Sequence, residues 1–455
     1  YLPAQNFARL LESVRQAFEK QTSELVESAE GFVQNMQILD SEKYGLRIED
    51  APFTLDELDQ IFEKYSRSFD LAHGGENKSP KFPMPSSYQF LMRYYDKTLN
   101  PTALEHIERS LHRIALGGIY DHVGGGWARY SVDNEWFIPH FEKMLYDNAQ
   151  LLSVYSDAYL LTKDPLYKNR IEQTCSWLLS EMRSEDDAYF SALDADSEGI
   201  EGRFYIFTLA ELQEALGEDL AWFSKLYGCT LAGNWEDGYN HLHFTQLPAT
   251  TAAAKGITLP DFDLRYQDTL SRLYAFRASR VRPGLDDKIL TSWNGLLIKG
   301  LADAYAALGV EDLRERCIRL GQFIETRVKQ PNGGLWHSYK AGKASIIGFL
   351  EDYASVIQGY VALYEITFAV EWLQKARALT DFTLLHFWDS TEQFFYFTDK
   401  EAEPLFVRKK ELFDNVIPAS NSIMAMNLYK LGHYFDEANY LSKAENMLRL
   451  MQKML

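Results

Sequence analysis

Apolar positions recur at helical spacing through most of the chain. In residues 5–38 the side chains of Phe7, Leu10, Leu11, Val14, Ala17 and Phe18 fall on one face, which predicts a single long helix. From residue 54 onward the pattern predicts eleven more, at 54–68, 86–98, 101–116, 140–162, 165–183, 290–308, 310–329, 349–367, 370–387, 419–433 and 436–455. Between them the period changes. Four times a helix gives way, through a glycine or charged turn, to a short aromatic hairpin that feeds the next helix, at residues 124–139, 187–207, 333–348 and 393–407. The spacing from Asp287 to Asn294 recurs from Asp414 to Asn421, and Glu142 to Asn148 is one residue shorter. These recurrences point to a repeated helical hairpin.

An amphipathic outer helix alternating with an inner helix that is apolar almost all round closes into a ring, because each inner helix is then covered by neighbours on both sides. The predicted fold is therefore all-α, an (α/α)6 toroid whose β-hairpins gather at one end around a central cavity. Six pairs need twelve helices and eleven follow the leader, so this reading places the last inner helix beyond Leu455. Residues 208–280 break the rhythm with helices at 209–216 and 219–227 and another ending near 279, and read as an insertion shaping the mouth. The expected organisation is a linker helix over 1–40 and a toroid over 41–455. Length alone, 455 residues, suggests two or three domains; the repeat replaces them with one ring.

Charge narrows the partners. With 46 Lys and Arg against 65 Asp and Glu, the net charge of -19 disfavours nucleic acid and anionic membranes. The basic clusters Arg408, Lys409, Lys410 and Arg277, Arg280, Arg282 are each followed closely by acids and read as solvated or salt-bridged faces. No apolar run approaches the roughly 20 residues that a membrane span needs. Cys175, Cys229 and Cys317 are too few and too scattered for a disulfide framework, which points to a reducing cytoplasm.

The strongest chemical signal is the acidic run at 194–201. On one strand Asp194 and Asp196 share a face, with Glu198 and Glu201 just beyond, and paired carboxylates suit acid and base catalysis. An acidic turn in solvent accounts for the same residues. A calcium loop does not, because its twelfth position is Tyr205 where a bidentate Glu is required. His140 follows Pro139 at the predicted start of helix 140–162, two turns before Asp147, with Glu142 and Lys143 beside it and Arg129, Asp133, Trp127 and Trp136 in the preceding hairpin. A hydrogen-bonded structural histidine is the plainer reading. His122 and His337 lie in or beside other hairpins, and two histidines on opposite sides of a substrate would serve proton transfer at a sugar carbon.

Asp286, Asp287 and Lys288, followed by Trp293 and Asn294, form a third cluster, and Glu351, Asp352 and Tyr353 a fourth. Acids in a first helical turn are stabilised by the helix dipole without any further role. Their recurrence favours a shared cavity, walled by Trp127, Trp136, Trp293, Trp336 and Tyr353, that takes a small polar ligand such as a sugar. The candidate catalytic set is Asp194, Asp196, His140 and Asp287. Candidate ligand contacts are Trp127, Arg129, Tyr130, Trp136, Glu142, Asp147, Asn148, Glu201, Lys288, Trp293, Asn294, Asp352, Tyr353 and Asn421. No metal or cofactor is expected. Gly124-Gly125-Gly126 lacks the Lys-Ser/Thr of a phosphate loop, and His241 with His243 lacks a third zinc ligand at recognisable spacing.

The segments KFPMPS (81–86), GGIYDHVGGGWARYSVDNEWFIPHFEKMLYDNAQLL (117–152), ALDADSEGIEGRFYIFT (192–208), RVRPGLDDKILTSWNGLLI (280–298), FLEDYASVIQGYVALYE (349–365) and IPASNSIMAMNLYKL (417–431) resemble the spermatogenesis-associated protein 20 family. The resemblance runs from Tyr1 to the end. It implies a toroid similar to six-hairpin glycosidases and N-acylglucosamine 2-epimerases, following an N-terminal thioredoxin-like domain. On that reading Tyr1-Leu-Pro is the tail of the thioredoxin-like domain, the domain itself is a partner in the full-length chain, and no redox role falls on residues present here. The functional expectation is a carbohydrate-active toroid, glycoside hydrolase-like or epimerase-like. The alternative is a non-catalytic docking module for the thioredoxin-like domain.

Overall fold

Eighteen α-helices organise the described residues, which are 2–47, 53–403, 406–452 and 454 of a computed structural model. Tyr1 and the end of the final predicted helix at Leu455 lie outside them. A leader comprises α1 (Ala4–Lys20), α2 (Thr22–Met36) and the short α3 (Asp40–Lys43). The ring follows with α4 (Leu55–Ser66), α5 (Pro85–Thr98), α6 (Pro101–Leu116), α7 (Leu145–Thr162) and α8 (Pro165–Trp177). The insertion holds α9 (Leu209–Leu216), α10 (Leu220–Tyr227), α11 (Pro248–Lys255) and α12 (Leu259–Arg277). The ring then resumes with α13 (Thr291–Leu308), α14 (Glu311–Phe323), α15 (Leu350–Thr367), α16 (Val370–His386), α17 (Ser420–Phe435) and α18 (Ala438–Met451).

Helix α5 packs on α7, α7 on α13, α13 on α15 and α15 on α17, while α6, α8, α14, α16 and α18 each fold back on the preceding inner helix. Helix α4 packs on α5, and its Glu57 accepts a hydrogen bond from Gln452 just past α18. Among the described residues, six outer helices thus surround five inner ones, the arrangement of an (α/α)6 toroid. The inner helices approach backbone to backbone. A Cβ on Gly300 of α13 would lie 2.3 Å from the carbonyl oxygen of Ala149 on α7, and one on Gly295 would lie 2.7 Å from the α15 backbone at Ser355 and Val356. Larger residues at either position would push the helices apart.

A repeated clamp ties each hairpin to the inner helix that follows. Asn148 accepts from the Trp127 amide at 2.8 Å and donates to the Trp127 and Met144 carbonyls. Asn294 grips Tyr189 and the Leu290 carbonyl in the same way, and Asn421 grips Phe395 and the Glu411 carbonyl. In the remaining hairpin the Tyr353 hydroxyl takes the Asn position and accepts from the Leu335 amide at 2.9 Å. The spacing recurrence in the sequence is the trace of this clamp: a carboxamide can offer both an acceptor and a donor to one peptide unit, and Asn carries it on a short stem.

Local geometry departs from the periodicity at three places. The leader is two helices, since Gln21 leaves helical geometry with φ -131° and ψ 28° before the Thr22-Ser23 pair, residues whose side chains compete for backbone hydrogen bonds. The helix predicted from residue 140 starts at Leu145, so His140 stands on the strand Pro139–His140, paired with Tyr130–Ser131, and not on a helical turn. Cross-strand pairing, continued by Lys143 opposite Leu193, has won over the helical pattern. Two outer helices finish in single π-helical turns, Leu178–Met182 after α8 and Ile324–Val328 after α14.

The insertion has its own apolar cluster, centred on Phe207, Leu212, Phe223, Tyr227, Phe262 and Leu273. A buried ion group joins it to the ring: Arg277 of α12 makes 2.8 and 2.9 Å bonds to Asp121, which also accepts from Lys143 at 2.8 Å. Burial alone would raise the Asp121 pKa, but the two cations hold it far below the ordinary range. Lys143 lies two residues before the start of α7, so this group fixes the segment that carries His140 and Glu142.

Candidate active site at the hairpin end of the ring

The first turns of α7, α13 and α15 bring together most of the polar groups at one end of the ring. His140 is held by two carboxylates, with Nδ1 2.7 Å from Glu201 Oε1 and Nε2 3.2 Å from Glu142 Oε2. Its ring stacks on Tyr130, centroids 5.0 Å apart, and Tyr130 lies against Phe82 at 4.7 Å. Arg129 bonds Glu142 at 3.1 Å and donates from Nε to the Tyr146 hydroxyl at 3.1 Å. Next to Tyr146, the Asp147 carboxyl is buried, and its Oδ2 has no hydrogen-bond partner among the described residues. Burial pushes its pKa well above the ordinary carboxylate range, against the opposing pull of Arg129. A buried carboxyl whose ionised form is disfavoured thus lies next to Tyr146.

Tyr146 meets Trp293 of α13 edge to face at 4.8 Å, and this pair leads to a second cluster. Ser292, beside Trp293, gives its backbone N–H to Asp352 Oδ1 at 2.9 Å. Asp352, fully buried in the first turn of α15, also accepts from the Phe349 amide at 2.8 Å and faces His337 Nδ1 at 3.0 and 3.2 Å. His337 comes from the strand Trp336–Lys340, which pairs with Ile289–Leu290 just before α13. Burial works against its imidazolium form, but the Asp352 bond and charge, with the Glu351 charge, raise its pKa. Glu351 is pushed up to about 7 by burial, then by the Asp352 charge, with His337 opposing and Glu411 adding to the rise. The second cluster therefore holds a hydrogen-bonded His–Asp pair and a carboxyl that changes charge near neutrality.

The ligand atoms of His337, Glu351 and Asp352 lie within 4.8 Å of one another, the one such His and carboxylate gathering found among the described residues. Both Asp352 oxygens are already engaged by N–H groups and by the imidazole, an arrangement that orients a histidine. The segment before α17 closes over the same end. Gln150 of α7 donates to the Val416 carbonyl at 3.0 Å, and Glu411 accepts from the Ser420 amide at 2.9 Å.

Seven residues picked from the sequence, His140, Glu142, Glu201, Arg129, Tyr130, Asp147 and Trp293, are brought to the first cluster or its link, and Asp352 to the second. Asp194 and Asp196 are exposed, Asp194 Oδ1 accepting the Asp196 amide at 3.4 Å. Asp196 is opposite Glu201 in their hairpin, so the acidic run reaches His140 through Glu201. Asp287 is exposed and paired with Lys340, and Lys288 with Asp286 at 3.0 Å, so neither joins the clusters. Trp127 and Trp136 are fully buried, the former stacked on Tyr155 at 4.8 Å and the latter bonded to the His73 carbonyl at 3.1 Å. Asn148, Asn294, Asn421 and Tyr353 serve the clamp. His122 and His241 are buried on the carbonyls of Gly117 and Gly118 at 2.9 and 2.8 Å. The candidate set lacked His337, Glu351 and Glu411. Aligning the repeats on the clamp residues would have set Asp352 beside Asp147, each one residue before its clamp side chain, and so drawn attention to its neighbours.

No family model matches the chain. In sequence it is 31% identical over 428 residues to spermatogenesis-associated protein 20 of mouse and, equally, of man, a match covering 86% of this chain. In structure it is similar to the cellobiose 2-epimerases of Bacillus thermoamylovorans, TM-score 0.57 at 10% identity, and Spirochaeta thermophila, TM-score 0.53 at 14%. Each superposition covers 88% of this chain and 87% of the epimerase, and shows a shared fold. The mammalian relatives are matched over 54% of their length, so the chain spans about half of them. The chain is thus a homologue of spermatogenesis-associated protein 20 over most of its own length, folded as a six-hairpin toroid.

Proposed function

We propose that the ring end acts on a carbohydrate by proton transfer at carbon, as an epimerase or isomerase. What carries the reading is the pair of histidines, His140 and His337, each backed by a carboxylate, their clusters linked through α13, where Trp293 meets Tyr146 and the Ser292 amide donates to Asp352. An open-chain aldose would lie with C2 between them. One imidazole takes the C2 proton while the C–H electrons move into the C1 carbonyl, leaving an enediolate; for His140 this requires that Nε2 first leave Glu142, 3.2 Å away. The other returns a proton to the opposite face of C2 as the carbonyl re-forms, and the sugar leaves as its epimer. Asp147, whose ionised form burial disfavours, and Arg129 suit the developing oxyanion. Glu351, near its midpoint at neutral pH, suits proton exchange with His337.

Hydrolysis by Asp194 and Asp196 has less support, because both carboxylates are exposed and neither is held toward the histidines. The two fold neighbours bearing the name cellobiose 2-epimerase agree with the sugar reading. The test is solvent exchange: aldoses such as glucose, mannose and cellobiose are incubated with the protein in D2O, and deuterium at C2 is followed by proton NMR. Epimer interconversion abolished in both His140→Asn and His337→Asn supports the reading; no exchange with any aldose sinks it.

A docking role for the leader is a second reading. Helices α1 and α2 bury none of their residues and present Phe7, Leu10, Leu11, Val14 and Phe18 on one exposed face. A thioredoxin-like domain is the partner this reading assigns, tested by mixing such a domain with the chain and measuring binding before and after Leu11→Ser.

A further inference from the structure

A groove of about 590 Å³, lined by none of the residues of the two histidine clusters, opens between α6, the 73–75 turn, the loop before His140 and the 243–245 segment of the insertion. Its lining is unusual for a chain of net charge -19. Arg109 and Arg113 face it from successive turns of α6, joined by His112, His73 and His243, and Glu135 is the one acid in its wall. Neither arginine makes an ion pair or side-chain hydrogen bond among the described residues, whereas most other basic side chains around the insertion are paired. The Nδ1 atoms of His73 and His243 are buried and also lack partners. His112 is the exception, bonded to Asp164 at 2.6 Å. Phe137 and Phe244 supply the apolar wall, Phe137 packing on His243 with centroids 4.4 Å apart.

Two guanidinium groups one helical turn apart can share the oxygens of a single phosphate, and a cation without a carboxylate partner is what an anionic ligand replaces water on. A neutral sugar gives no reason to set two unpaired arginines on one groove wall with three histidines beside them. A nucleic-acid strand needs a basic track along a surface, and this patch is confined to one groove on an acidic protein. We propose that the groove binds a phosphorylated small molecule, its phosphate held between Arg109 and Arg113 and its organic part laid against Phe137 and Phe244. The bound ligand would also bear on the loop that carries His140. Asp133 fixes that loop by accepting from the Glu135, Phe137 and Ile138 amides at 2.8, 3.2 and 2.7 Å, and Glu135 and Phe137 line the groove.

The test is calorimetric titration at constant ionic strength with phenyl phosphate, inorganic phosphate and uncharged phenyl glucoside. The native chain is expected to bind both phosphates saturably, phenyl phosphate more tightly, and the glucoside not at all. Arg109→Gln with Arg113→Gln should weaken phosphate binding at least 10-fold. Arg93→Gln, an exposed arginine on α5, should leave it unchanged. Melting curves establish that the double variant is folded; if it is not, the exposed Arg113→Gln alone carries the comparison. Absence of saturable phosphate binding, or equal binding by native and groove variants, overturns the proposal.

Discussion

His140 Nδ1 lies 2.7 Å from Glu201 Oε1, although 61 residues separate them, because the acidic hairpin at 196–201 folds back over the strand Pro139–His140. Glu142 takes the other ring nitrogen, so the imidazole is fixed in plane and direction. Glu201→Gln keeps the size of the side chain and removes its charge. Solvent exchange at sugar C2 should fall by roughly 10- to 100-fold through misorientation of His140, with the melting temperature little changed because Glu201 is exposed. Nitrogen-15 NMR of the imidazole gives a substrate-free check: the tautomer balance of His140 should shift in the variant.

The second cluster predicts a pH dependence of stability. Glu351 has its pKa raised to about 7, so the folded state holds its proton more tightly than the unfolded chain does, and stability falls as pH rises from about 4.5 through 7. His337, also raised, acts in the same direction, since its favourable imidazolium is lost as pH climbs through its folded pKa. Glu351→Gln should therefore raise the melting temperature at pH 8 and change it little at pH 5. Denaturation at the two pH values measures this, and an equal effect at both would contradict it.

The clamp predicts a stability cost without a chemical one. Asn294→Ala leaves the buried Tyr189 amide and two carbonyls without their partner, at a cost of about 1–3 kcal/mol. Urea unfolding would measure it. Tyr353→Phe, which removes only the acceptor for the Leu335 amide, should lie at the low end of that range.

Close packing of the inner ring makes a sharper demand at Gly300. Alanine there meets the Ala149 carbonyl at 2.3 Å, so α7 and α13 must separate, and a loss of about 1–3 kcal/mol is expected despite alanine's better helix propensity. A stabilised Gly300→Ala variant would show that the helices do not sit this close.

The ring was legible because its signals are periodic. Inner helices such as α7 are apolar on nearly every side, and the hairpins between them carry aromatic strands, so helix count and alternation follow from spacing alone. Residues 139–144 were not, because apolar and polar positions there suit a helix as well as a strand, and the choice rests on pairing with Tyr130–Ser131 and Leu193, partners remote in sequence. The same ambiguity hid the site. The asparagines recurred because the fold repeats, so their recurrence signalled architecture, and Trp127 and Trp136 were drawn into the core by size and apolarity. His337 was visible as a histidine in a hairpin, but its pairing with Asp352 depends on strand register that spacing does not give.

In the proposed reaction His140 and His337 handle one proton each on the same sugar carbon. This is tested most directly by incubating native, His140→Asn and His337→Asn proteins with an exchanging aldose in D2O and resolving both C2 epimers by NMR. The account predicts native exchange in both epimers, and in each variant loss of interconversion with residual exchange confined to the epimer whose proton the remaining histidine faces. Unchanged interconversion in either single variant would contradict it.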